Sequence, residues 1–158
     1  MQQFRGGRTV KELHIKTIEN GTAIDHIPAG RALKVMSLLT ISSQPVISVA
    51  MHVPSRRMGK KDLVYVENLE LGENEINKIG LVAQNATLNI IRNREVAKKI
   101  KITLPDKIRG AIACPNPTCI TNHEKVQTLF ELNNSPLEAK CHYCERVIEE
   151  KQVIENLK

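Results

Sequence analysis

The sequence has no tryptophan, and its only other aromatic residues are Phe4, Tyr65, Phe130 and Tyr143. Proteins that hold single-stranded nucleic acid stack bases on several aromatic rings, so that role is poorly served here. No apolar run approaches the roughly 20 residues needed to cross a bilayer as a helix. The opening residues Met1-Gln2-Gln3-Phe4-Arg5-Gly6-Gly7-Arg8 lack the apolar core of a secretory signal. The expectation is therefore a cytoplasmic protein with reduced thiols and no membrane partner. Cysteine is missing from the whole chain before Cys114, which argues against a disulfide framework for the fold. Also missing are the Gly-x4-Gly-Lys-Ser/Thr loop, the Gly-x-Gly-x2-Gly fingerprint and the Gly-x-Ser-x-Gly elbow.

What is present is a basic chain of 158 residues with a formal net charge of +6. That charge points to anionic partners: nucleic acid, free nucleotides or an acidic protein face. Residues Leu13 to Ile18 read as a short strand, Asn20-Gly21 as a tight turn, and Thr22-Ala23-Ile24 as a return to extended chain. Arg31 to Leu39 carries apolar residues at helical spacing. Pro45 to Val53 is rich in β-branched residues and reads as a largely buried strand. A basic connection, Ser55 to Lys61, leads to a strand over Leu63 to Val66. A second helix is predicted from Glu73 to about Val82, with Glu73 and Glu75 favoured at its N-terminus by the helix dipole. Ala86 to Ile91 supplies the closing strand. The class is α+β. The order strand, helix, strand, strand, helix, strand predicts a ferredoxin-like N-terminal domain over residues 1–105. A small β-rich domain over residues 106–158 follows, with a strand expected at Val126 to Leu132.

All four cysteines fall in that second segment, as Cys114-x4-Cys119 and Cys141-x2-Cys144. Two close pairs joined by a hairpin can converge on one tetrahedral zinc ion, and four thiolates leave no open catalytic position. A redox Cys-x2-Cys would belong to a βαβ setting that is not evident here. Haem attachment would need histidine where Glu145 stands. Disulfides remain open for a hyperthermophile, and His123 or His142 could replace one thiolate. One structural zinc per chain is the expected cofactor, because about 50 residues bury little apolar surface without a staple.

In the first segment, Asp25-His26 could be an acid–base pair, but neighbouring strand residues point to opposite faces. A hydrogen-bonded structural pair is the plainer reading. Basic residues cluster at Arg56, Arg57, Lys60 and Lys61, and at Arg92, Arg94, Lys98, Lys99 and Lys101. Any of these could serve as a charged donor to phosphate.

Four stretches together resemble the regulatory chain of aspartate carbamoyltransferase. They are Gly21 to Ala29, Met58 to Leu63 with Glu67-Asn68, Ala86 to Asn89, and Cys114-Pro115-Asn116 through Cys119-Ile120 with Cys141, Tyr143, Cys144 and Glu145. The resemblance implies a non-catalytic subunit that binds CTP, UTP and ATP in its N-terminal domain, pairs as a homodimer there, and docks its zinc domain on the catalytic chain. It implies a nucleotide site at Ile15, Lys16, Ile18, Asp25, His26, Tyr65, Asn89, Ile91, Arg94, Val96 and Lys99, with His26 and Lys99 facing the triphosphate. Lys16, Tyr65 and Arg94 stand where well-studied bacterial members usually carry Glu, Lys and Tyr. The lysine that Tyr65 replaces helps those members select between nucleotides. Asn116, Tyr143, Glu145 and Arg146 would meet the catalytic chain. Two rivals make different demands. A zinc-ribbon nucleic-acid binder would hold polynucleotide in a salt-sensitive way, and a small transferase using Asp25 and His26 would turn over alone.

Overall fold

The structure is a computed structural model, and it describes residues 19–158. The strand expected over Leu13 to Ile18, and with it Ile15, Lys16 and Ile18, lies outside the described residues.

The chain enters at Asn20-Gly21, where a Cβ on Gly21 would collide with the Val66 carbonyl oxygen, so glycine is required. Strand β1 (Gly21–Pro28) follows, then helix α1 (Ala32–Ser37), a hairpin of β2 (Ile47–Ser55) and β3 (Gly59–Glu67), helix α2 (Glu73–Val82) and strand β4 (Thr87–Arg92). Their sheet order, β2-β3-β1-β4, is that of a ferredoxin-like βαββαβ unit, and every pairing is antiparallel. A further edge strand, β5 (Glu95–Lys101), pairs with β4. The two-residue connection Asn93-Arg94 has both residues in the left-handed region, φ 52° and 67°, as a type I′ hairpin turn requires. Charged residues along Glu95–Lys101 break the apolar alternation of a strand, which is why β5 escapes a reading by pattern.

Helix α2 begins as its acids predict. The Glu75 carboxylate accepts the N–H groups of Gly72 at 3.0 Å and Thr40 at 2.8 Å, tying the helix start to the segment after α1. Ile24, Ile27, Val35, Val64, Val66, Ile79, Val82, Leu88 and Ile102 form the core between sheet and helices. β2 departs from expectation. Among the described residues it is an edge strand, and Val46, Ile47, Val49 and Met51 are exposed instead of buried. Lys60 and Lys61, read as part of a loop, stand within β3.

A second antiparallel sheet runs β6 (Lys107–Arg109), β7 (Leu129–Asn134), β8 (Leu137–Cys141) and β9 (Val147–Glu149), followed by helix α3 (Glu150–Glu155). Its core joins Ile112, Phe130, Ala139, Ile148 and Val153 to three of the cysteines. The two cores interlock. Leu81 of α2 belongs to the second, while Ile154 and Leu157 pack against the first.

Candidate metal centre and effector face

The four cysteine sulfurs lie within 4.8 Å of one another. Cys114 and Cys144 Sγ are 3.6 Å apart, and Cys119 and Cys141 Sγ are 3.9 Å apart. These separations are too long for disulfides, whose S–S bond is about 2.05 Å. They bracket the roughly 3.8 Å edge of a tetrahedron whose centre lies about 2.3 Å from each sulfur, the zinc–thiolate distance. The surroundings suit the same ion. Backbone N–H groups reach the sulfurs: Asn116 to Cys114, Tyr143 and Cys144 to Cys141, and Arg146 to Cys144. Thr121 Oγ1 donates to Cys119 Sγ at 3.2 Å.

Without a cation the cluster cannot hold four negative charges. Burial, with hydrogen bonding of the Cys114 S–H toward the neighbouring cysteine sulfurs, pushes the Cys114 thiol up to about 12. Burial also acts upward on Cys144, but donors from Asn116 and Arg146 outweigh it and hold that thiol at about 6. A divalent ion resolves this conflict by neutralising thiolates that donors already face. Neither histidine takes part. His123 Nε2 bonds to the Pro117 carbonyl at 2.7 Å, and His142 packs edge-on against Tyr143 at 5.3 Å. Asn122 was not read from sequence. Its Nδ2 bonds to the carbonyls of Cys114 (2.9 Å) and Asn116 (2.8 Å), so it locks the first cysteine loop.

Beside the sulfurs, Tyr143, Glu145 and Arg146 are exposed and Asn116 is half-buried. Asn116 Oδ1 accepts Thr118 N–H at 3.1 Å and Thr118 Oγ1 at 2.9 Å, which closes the Pro115–Thr118 turn. Ile120 and Val147 add exposed apolar surface next in sequence to the cysteine loops.

In the first sheet, Tyr65, Asn89 and Lys99, of the residues implied for nucleotide binding, stand on the face away from the helices. Tyr65 stands opposite Ala23, Ala23 opposite Asn89, and Asn89 opposite Lys99, a single row across four strands. Three strand spacings make that row about 14 Å long, enough for a base at one end and phosphates at the other. Ile91 pairs with Val96 in the next row. Arg94 is set apart in the β4–β5 turn, where its guanidinium bonds to Glu19.

Asp25 and His26 do not point to opposite faces as a regular strand would require. Between Ile24 and Ile27, β1 has one residue more than β3, and His26 takes φ 59° at this bulge. His26 Nδ1 thereby comes within 3.5 Å of Asp25 Oδ2 and, among the described residues, makes no hydrogen bond. Asp25 Oδ1 is held at 2.8 Å by Lys61 Nζ, a partner that sequence spacing did not single out. A cavity of about 280 Å³ lined by Asn20, Gly21, Asn68, Leu69 and Ile91 lies at the other end of β1, and of the implied contacts among the described residues it includes Ile91 alone.

Comparison with known proteins gives a consistent result over both halves. A family model described as the aspartate carbamoyltransferase regulatory chain, allosteric domain, matches residues 13–103. A second, described as the metal binding domain of the same chain, matches residues 106–154. An aspartate carbamoyltransferase regulatory chain from Pyrococcus abyssi is 49% identical over 150 residues, covering 92% of this chain and 99% of the relative. One from Thermococcus sibiricus is 48% identical over 149 residues, covering 94% and 99%. One from Methanocaldococcus jannaschii is 44% identical over 142 residues, covering 89% and 95%.

Proposed function

Because this chain belongs to the family of aspartate carbamoyltransferase regulatory chains, non-catalytic allosteric subunits with a metal-binding domain, we propose that it binds nucleoside triphosphates on its N-terminal domain and relays their presence to a catalytic chain. The observation that supports this best is the row Tyr65–Ala23–Asn89–Lys99 beside the Lys61–Asp25–His26 cluster. Lys99 and His26 supply donors to phosphate, and Asn89 offers an amide for ribose or base. Ile15, Lys16, Ile18, Ile91, Arg94 and Val96 complete the proposed site, with CTP, UTP and ATP as effectors. Residues 1–105 form the effector unit in this reading, and residues 106–158 the docking unit.

The metal is structural. It fixes two loops so that Asn116, Tyr143, Glu145 and Arg146 present a rigid face to the catalytic chain. The N-terminal domains pair as a homodimer, which the exposed Val46, Ile47, Val49 and Met51 of the β2 edge support, since unpaired apolar edges seek partners. The setting is cytoplasmic pyrimidine synthesis, and among the described residues no helix is long and apolar enough to cross a membrane.

The decisive test is a pull-down with aspartate carbamoyltransferase catalytic trimers, with and without a strong chelator, followed by activity titrations with CTP, UTP and ATP. Zinc-dependent association and a nucleotide-dependent shift in aspartate half-saturation are expected. Association that ignores the chelator would sink the docking role, and activity indifferent to all three nucleotides would sink the effector role.

A further inference from the structure

Three helix ends meet at Arg31. The residue is the N-cap of α1. Its Nη1 donates at 2.7 Å to the carbonyl oxygen of Val82, the last residue of α2. The same nitrogen bonds at 2.7 Å to Glu150 Oε1, the first residue of α3, 119 positions away in sequence. A guanidinium suits this junction, because the C-terminal carbonyls of a helix lack intrahelical donors and carry partial negative charge.

The backbone on either side of Arg31 is tied, on the helix side of the sheet, to β3, the strand that carries Lys61. Gly30 N and Ala32 N both donate to Asp62 Oδ2, at 2.8 Å and 3.0 Å. Asp62 follows Lys61, whose ammonium holds Asp25. Arg31 N bonds to the Pro28 carbonyl at 3.1 Å, closing the turn by which the chain leaves β1 two residues after His26. The Arg31 segment is therefore held by its backbone to β1 and β3, the strands that carry Asp25, His26 and Lys61 on their other side, and by its side chain to the metal domain.

We infer that Arg31 is a positioning residue, and that its bond to Glu150 is a latch through which nucleotide occupancy alters the placement of α3 and the metal domain. The inference rests on the effector reading above. Elsewhere in the junction Leu81 in one core and Ile154 against the other make apolar contacts, which tolerate small displacements. A charged hydrogen bond at 2.7 Å is directional, so a small rotation of the α1 start breaks it. Coupling follows if the latch is made to different extents in the two quaternary states. With the Arg31 side chain 34% and the Glu150 side chain 44% exposed, the pair is also open to screening by salt.

The test uses the enzyme assembled from this chain and catalytic trimers. Arg31→Ala and Glu150→Gln should each shrink the nucleotide-induced shift in aspartate half-saturation by about twofold to fivefold, the scale of a half-exposed ion pair. Affinity for the nucleotide should hold in both variants. Glu150→Gln leaves the bond to the Val82 carbonyl intact, so it separates the latch from the helix cap. The double variant should lose no more than either single one, and Arg31→Lys should retain part of the response. A full response in Arg31→Ala, independent losses that add, or a response lost only because nucleotide no longer binds would each overturn the latch. A wild-type chain that binds no nucleotide would overturn the effector reading itself, and that failure is visible before any substitution is made.

Discussion

The amide N–H of His52 donates at 2.8 Å to Asp62 Oδ1, and the bond exists because β2 carries an extra residue opposite Asp62. His52 takes φ 57° at that bulge, which turns its N–H toward the carboxylate. With Gly30 and Ala32 on the other oxygen, Asp62 is a fully buried anion satisfied by three backbone donors. It ties β2, β3 and the start of α1 together at one point.

Asp62 also sets a pH dependence. Burial alone would raise its pKa, but the N–H groups of His52, Ala32 and Gly30 outweigh burial and hold the carboxyl below its ordinary value. A depressed native pKa contributes stability that is present above the unfolded value, about 3.9, and is lost as pH falls through the native one. Asp62→Asn should therefore cost about 1–3 kcal/mol near pH 7, from replacing an anionic acceptor by a neutral amide. The gap between variant and wild type should narrow steadily below about pH 4. Urea unfolding of both chains across pH 7 to 3 measures it, and a gap that stays constant with pH would contradict the assignment.

The metal centre leads to a prediction about unfolding. A chelator strong enough to strip zinc should unfold residues 106–158, because binding can supply on the order of 10 kcal/mol to a domain of this size. The first domain should survive but lose protection at α2, since Leu81 is buried in the second core. Hydrogen exchange with and without chelator locates both effects. Cys114→Ser should mimic chelation, abolish assembly with catalytic trimers and leave nucleotide affinity largely unchanged. Co-purification of Cys114→Ser with catalytic chains would contradict the docking role.

Legibility followed physics in each case. Helix α2 was readable over Glu73–Val82 because its acids and its apolar spacing point to the same limits. The cysteine cluster was readable because ligand spacing is nearly a geometric statement in itself. The expectation of a buried β2 fails because β-branched residues mark a strand without marking which edge of the sheet it occupies. The alternation rule fails for Asp25 and His26 because a bulge interrupts it, and nothing in a single Asp-His dipeptide announces one. Asp62 and Arg31 were passed over for a related reason: their partners are backbone groups and a residue 119 positions distant, which no local pattern encodes.

Tyr65 and Lys99 occupy opposite ends of the proposed nucleotide row, and substitutions should separate their roles. Lys99→Ala should weaken CTP and ATP alike by roughly tenfold or more, the cost of one charged hydrogen bond to phosphate. Tyr65→Lys should instead change the ratio of the two affinities, because the difference between the nucleotides lies in the base. Calorimetric titration of each nucleotide into each variant decides this. A Lys99→Ala chain with an altered CTP-to-ATP affinity ratio, together with a Tyr65→Lys chain whose ratio is unaltered, would reverse the proposed orientation.

The exposed edge of β2 carries the last prediction. Val49 is 40% exposed, and among the described residues its strand has one side unpaired. An apolar edge of this kind is stable when another copy covers it, and a single lysine is an effective deterrent to such pairing. Val49→Lys should shift the chain from dimer to monomer in sedimentation at micromolar concentration. Because the side chain is already half in water, the stability of the monomer itself should change by no more than about 0.5 kcal/mol. Nucleotide binding should persist in the monomer, since the Tyr65–Lys99 row is contributed by one chain. A variant that remains dimeric would place the pairing surface elsewhere on the domain.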